Sequence, residues 1–276
     1  AAEVFEPTYA EAGGMDGFVS VEVDPGLAHD AAGTEEAARA LHERIARRNV
    51  MVKIPATAEG IAPIRTMIAE GRNTNVTLIF SLDRYQEVIE AYLEGLEERV
   101  EAGGEISDIA SVGSFFVSRV DTETDRRLPE GHPLRGKAAV ANAKLAYQVF
   151  LDRFSGPRWD DLVAAGAHSQ RPLWASTSTK NPAYSPTLYV DELIGRDTVN
   201  TLAQASIDAL AEHDGVRADS ILEGVDEARA MIAALADADV DFDDVTATLE
   251  REGVAAFRAS YHDALATLEK KARELN

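Results

Sequence analysis

Short β-prone runs of four to eight residues alternate with helical segments of ten or more from Gly17 to Leu202, and this alternation limits the fold more than any other feature of the sequence. The strand candidates are GFVSVEV (17–23), VMVKIP (50–55), NVTLIF (75–80), IASVGSFFVS (109–118), LWAST (173–177) and TVNTL (198–202). Between them lie a helix from Thr34 to about Arg48, with Ala38, Leu41, Ile45 and Ala46 at helical spacing, and one from about Ala58 to Glu70. A longer helix runs from Ser81, an N-cap, to about Ala102, and another from Lys137 to Phe154 with Val140, Leu145, Val149 and Phe150 along one side. Asp24-Pro25-Gly26 closes the first strand with a turn.

Such alternation indicates βαβ units, hence a parallel sheet with helices outside it. The 276 residues suit one domain, and no linker divides them. Residues 207–276 carry helical periodicity alone and are expected to pack on the outside of the barrel.

Charge and composition narrow the function. A net charge of −21 repels nucleic acid and anionic membranes, and no Lys/Arg-rich run offers a local exception. No segment approaches the roughly 20 apolar residues that span a bilayer. The chain has no cysteine, and its first residues do not resemble a signal peptide, so the expected home is the cytoplasm. His29, His42, His132, His168, His213 and His262 are scattered without metal-ligand spacing. No G-x-G-x-x-G, P-loop or G-x-S-x-G follows a strand candidate.

An acidic protein still binds a phosphorylated metabolite if a few cations converge in one pocket. There are only six lysines, and Lys53 is set among apolar neighbours in VMVKIP. Its ammonium is costly to bury unless it is paired or deprotonated, so Lys53 is either an amine nucleophile or a structural lysine neutralised by a carboxylate such as Glu22. Glu22 holds the matching place in VSVEVDP, as a proton carrier or as that counter-ion. Asn75 and Thr77 lie two apart and share one face of their strand, for a ligand or for hydrogen bonding within the core. Ser114 and Arg119 flank FFVS, where the arginine suits a phosphate or a surface salt bridge. Ser178 and Lys180 fall in STSTKNP, a composition suited to an anion or to capping a turn.

Taken in order, SVEVDP, MVKIPAT-x-EGI, N-x-NVTLIFS, SFFVSRVDTE-x-D and PLWASTSTKNP resemble the motifs of the transaldolase family, particularly its long bacterial form, from about Gly17 to Thr201. The resemblance implies a (β/α)8 barrel of the class I aldolase type. It implies that Lys53 forms a Schiff base, that Glu22 and Thr77 serve proton transfer with a water, and that Asn75 contacts substrate hydroxyls. Ser114 and Arg119 match substrate- and phosphate-contacting positions, and Ser178 and Lys180 a second phosphate cluster. The implied reaction moves a dihydroxyacetone unit between sugar phosphates in the pentose phosphate pathway, from fructose 6-phosphate or sedoheptulose 7-phosphate to an aldose phosphate, with no cofactor. The family's first two strands, which carry an acid/base aspartate, have no counterpart ahead of Gly17, so the expectation is an N-terminally shortened form whose first two β/α units are missing. The alternatives are a related Schiff-base sugar-phosphate aldolase that cleaves without transfer, and a non-catalytic fragment.

Overall fold

The computed structural model describes residues 1–213 and 215–274. Its six strands, β1 (Val19–Glu22), β2 (Val50–Pro55), β3 (Thr74–Ile79), β4 (Ser111–Phe116), β5 (Arg171–Ala175) and β6 (Val199–Asn200), form one parallel sheet in the order β1-β2-β3-β4-β5-β6. The helices are α1 (Ala2–Glu11), α2 (Ala31–Ile45), α3 (Ile61–Ala69), α4 (Leu82–Glu101), α5 (Ser118–Arg127), α6 (Ala138–Arg153), α7 (Pro157–Ala164), α8 (Leu188–Asp191), α9 (Gln204–Ala211), α10 (Val225–Asp237) and α11 (Phe242–Glu274). No described helix is long and apolar enough to cross a membrane.

Each strand neighbours the next in sequence, as right-handed βαβ crossovers require when helices cover one face. The outward positions Val52, Ile54, Val76, Phe115 and Trp174 are fully buried against helices. Tyr85 of α4 packs edge-on to Phe115 at 5.7 Å, and Phe115 to Trp174 at 6.1 Å. Inward positions from all six strands, including Ser20, Met51, Lys53, Asn75, Val112, Leu173 and Val199, line a single cavity of about 340 Å³. One cavity reaches all six strands only if the sheet curls around it, so the sheet is a curled, barrel-like half with β1 and β6 as its edges.

Local chemistry sets the helix starts. Asp30 accepts from the Gly33 amide at 3.0 Å at the head of α2, and Ser81 accepts from the Arg84 amide at 3.1 Å at the head of α4. Several sequence-based strand bounds move, and two of the C-terminal ends have a local cause. IASVGSFFVS narrows to 111–116 because helix α5 already begins at Ser118. LWAST ends at Ala175 because Ser176 turns into the left-handed region at φ 56°.

Of the described residues between 207 and 274, α9, α10 and α11 are helical, while those between Ala211 and Val225 are not helical apart from the 3-10 turn Ser220–Leu222, and Leu275, where helical periodicity is expected to end, lies outside the described residues. Their placement differs from the expectation of an outer layer. Helix α10 does pack against α6, but α11 crosses the C-terminal ends of the first strands, touching α5, β3 and the 3-10 turn at Pro25–Leu27. Gly253 permits this crossing, since a Cβ there would come within 3.0 Å of Leu78 Cδ2.

Candidate active site

Register brings the site together. In a parallel pair, residues opposite one another face the same side, and Glu22 is opposite Lys53, which is opposite Asn75. Lys53 Nζ donates to Glu22 Oε1 at 3.0 Å, with the two side chains 21% and 39% exposed. The other five residues of its strand are buried. Lys53 is therefore a half-covered amine at the C-terminal end of its strand with a carboxylate in proton-transfer range.

Thr77 comes next on β3, opposite Pro55. The β3–β4 register slips between Val76 and Ile79, and Leu78 within that bulge sits at φ 61°. A non-glycine residue in that region costs about 1–3 kcal/mol, and bulges gather beside active sites. Thr77 Oγ1 is buried and has no hydrogen-bond partner among the described residues. Its hydroxyl is thus held beside Lys53 without an internal role.

Beneath this row runs a polar relay. Ser114 Oγ donates to Asn75 Oδ1 at 2.7 Å, and Asn75 Nδ2 donates to Ser20 Oγ at 2.9 Å. The arrangement fixes the amide with its donors toward β1. Ser20 is a member the sequence reading missed, although it shares a face with Glu22 two residues on.

Arg119, in the first turn of α5, has no carboxylate or hydrogen-bond partner among the described residues, and its guanidinium lies 5.4 Å from the Phe116 ring centre. That ring packs at 6.3 Å on Phe257 of α11, whose own ring centre is 5.6 Å from Lys53 Nζ. An unpaired guanidinium stacked on an aromatic face is a ready site for a phosphate. Phe116 and Phe257 were not singled out from the sequence, since an isolated phenylalanine reads as core.

Ser178 and Lys180 sit elsewhere. Ser178 Oγ approaches Ser206 Oγ at 3.4 Å, and Lys180 lines a cavity of about 360 Å³ with Asp121, Asp125, Arg135, Tyr184 and Tyr189. Neither residue lines a cavity that Lys53 lines. The loop bearing them is pinned to α5, because the Ser118 amide donates to Ser176 O at 2.9 Å and the two serine hydroxyls meet at 2.9 Å. In that cavity Asp121 Oδ1 accepts from the Ala139 amide and Oδ2 from Tyr189, both at 2.8 Å. Burial pushes Asp121 up to about 6, against the opposing effect of those hydrogen bonds.

The motif glycine of MVKIPAT-x-EGI has a structural reason. Thr57 Oγ1 accepts from the Gly60 amide and donates to Ala28 O, and a Cβ on Gly60 would lie far inside contact with Pro55 O. The turn that ends β2 leaves no room for any side chain there.

Residues 1–268 match the family model described as Transaldolase/Fructose-6-phosphate aldolase. The chain is 49% identical over 276 residues to the transaldolase of Parafrankia sp. (strain EAN1pec), covering 98% of this chain and 75% of that protein. It is 50% identical over 282 residues to the transaldolase of Acidothermus cellulolyticus, covering 99% and 76% respectively. Transaldolase 1 of Streptomyces coelicolor is 50% identical over 275 residues, covering 98% of this chain and 72% of its own. With a paired strand-end lysine at the centre of the site and half the residues shared along nearly its whole length, the chain belongs to the transaldolase/fructose-6-phosphate aldolase family.

Proposed function

We propose that the protein is a transaldolase, a transferase that moves a dihydroxyacetone unit from a ketose phosphate to an aldose phosphate through a Schiff base on Lys53. The observation that carries this reading is the Lys53–Glu22 pair, 3.0 Å apart in matched register at the C-terminal ends of β1 and β2. The sheet is read in the same way, as six of the eight strands of a class I aldolase barrel.

Glu22 takes the proton from the Lys53 ammonium, and the free amine adds to the C2 carbonyl of the ketose. The carbinolamine hydroxyl regains a proton from Glu22 and leaves as water, with the Thr77 hydroxyl as its hydrogen-bond partner, and the iminium remains. A base takes the C4-hydroxyl proton, the C3–C4 bond breaks into the iminium, and an aldose phosphate departs from a covalent enamine. The enamine then attacks the second aldehyde, and the steps reverse to release the new ketose. Asn75 donates to substrate hydroxyls, with Ser114 holding the amide's orientation. Arg119 grips the phosphate. No cofactor has a place in these steps.

A coupled assay tests the reading. Fructose 6-phosphate with erythrose 4-phosphate should yield glyceraldehyde 3-phosphate several-fold faster than fructose 6-phosphate alone. Equal rates with and without the acceptor would make the protein a cleaving aldolase, and no product in either would leave a binding module.

A further inference from the structure

Strand β3 carries one residue more than its neighbour where it reaches the mouth of the sheet. Val76 pairs with Gly113 and Ile79 with Phe115, so Thr77 and Leu78 together stand opposite Ser114 alone. In an unbroken strand Val76 and Ile79, three apart, would point to opposite faces. Here both are fully buried on the helix side, and a Cβ on Gly113 would meet Tyr85 of α4 at 2.9 Å and Ile79 at 3.5 Å. The extra residue thus gives the inner side two side chains in place of one, and Thr77 and Leu78 line a small cavity with Lys53 and Glu22.

Nothing in the strand itself favours that shape. Leu78 sits at φ 61°, a region a leucine avoids because its Cβ crowds the following carbonyl. What holds it there is α11: the Leu78 side chain is buried, a Cβ on Gly253 would come within 3.0 Å of its Cδ2, and Val254 borders the same cavity. On the other side the Ala56 amide donates to Thr77 O at 2.7 Å and fastens the bulge to β2. We infer that Leu78 is a positioning residue, wedged by α11 into the left-handed region so that the Thr77 hydroxyl is held towards Lys53. The inference rests on the proposed Schiff-base reading, in which that hydroxyl is the hydrogen-bond partner of the departing water.

Asn75 and Thr77 differ in a way that makes such a wedge necessary. The Asn75 amide is aimed by two hydrogen bonds, one accepted from Ser114 and one donated to Ser20. Thr77 Oγ1 is buried with no hydrogen-bond partner among the described residues, so its direction is left to the backbone that carries it. A relaxed, extended Leu78 would turn outward among the helices, lose its contact with α11 and change the path of the chain at Thr77. The carbinolamine would still form on Lys53, but its hydroxyl would leave as water without that partner, and a small misplacement of a contacting group is enough to slow such a step.

The test is the rate at which fructose 6-phosphate becomes a borohydride-trapped adduct in a single turnover, read beside KM and thermal unfolding. Leu78→Val keeps apolar bulk under α11 but resists the left-handed region, whereas Leu78→Gly loses the bulk and accepts that region freely. If the conformation of residue 78 aims Thr77, the valine variant should form adduct about tenfold more slowly at nearly unchanged KM. The glycine variant should be the faster of the two although it packs worse. In a Thr77→Ala background Leu78→Val should cost no further rate, because Leu78 acts through that hydroxyl. An unchanged rate in Leu78→Val, or an equal loss with and without Thr77, would reduce Leu78 to a packing residue and overturn the inference. Where the glycine variant does not fold, the valine cycle with Thr77→Ala decides alone. Absence of any trapped adduct on the unaltered chain would instead overturn the Schiff-base reading, and the inference with it.

Discussion

Asp121 shows at the scale of one residue how burial is exchanged for order. Its carboxylate is 2% exposed, caps the start of α6 through the Ala139 amide and accepts from Tyr189, so it fastens α5, α6 and α8 together. Burial raises it from 3.8 to about 6. The folded chain therefore binds a proton more tightly than the unfolded one between about pH 4 and 6, and stability from this group falls as pH rises through that window. The difference in proton affinity is worth about 3 kcal/mol. Asp121→Asn keeps the shape and an acceptor for Ala139 without titrating. Denaturant unfolding of both proteins at pH 4 and pH 7 should show the unaltered chain losing about 2–3 kcal/mol relative to the variant. Parallel stability profiles would mean that Asp121 is not protonated in the fold. The site's residues were legible unevenly at this scale. Period-two spacing placed Asn75 with Thr77, and the apolar frame of VMVKIP marked Lys53. The bulge at Leu78 carried no local signal, because a leucine at positive φ is imposed by packing under α11 rather than by its own preference.

At the scale of elements, the turn after β2 matters most, since it sets the strand end that holds Lys53. Gly60→Ala would drive a methyl into Pro55 O, two residues from the amine. Overpacking of this kind costs about 1–3 kcal/mol and occasionally more. A loss of that size in denaturant unfolding, with weaker trapping of substrate at Lys53, is the expected result, and an unchanged midpoint would show that the turn has slack. The strands of the first half were readable because both faces of a parallel sheet are covered and the runs are apolar. The last was not: TVNTL, expected over 198–202, pairs only through Val199 and Asn200. Helix α5 went unseen because its sequence, SRVDTETDRR, shows almost no apolar period. It is buried through polar contacts instead, with Glu123 at 5% side-chain exposure held by Arg126 and Arg127 at 2.7 Å each. Periodicity reports burial of apolar side chains, and satisfied polar burial escapes it.

For the whole molecule, the strong negative charge and the chemistry of an anionic substrate are reconciled by placement. Many arginines are committed to surface carboxylates, as in Arg158 with Glu90 and Glu97 or Arg65 with Glu94, while Arg119 keeps its guanidinium unengaged beside the aromatic wall. The parallel sheet with helices outside it followed from sequence alternation, and the apolar frame of VMVKIP placed the amine in or at the end of a buried strand. The crossing of α11 over that end did not, since helical spacing in the C-terminal part says which side is apolar and nothing about which surface it covers. That crossing brings the Phe257 ring to 5.6 Å from Lys53 Nζ. Borohydride reduction in the presence of fructose 6-phosphate, followed by peptide mass spectrometry, asks directly which of the six lysines carries the substrate. The adduct should lie on the peptide containing Lys53 and vanish in Lys53→Ala, whereas an adduct on Lys180, or trapping that persists without Lys53, would contradict the account.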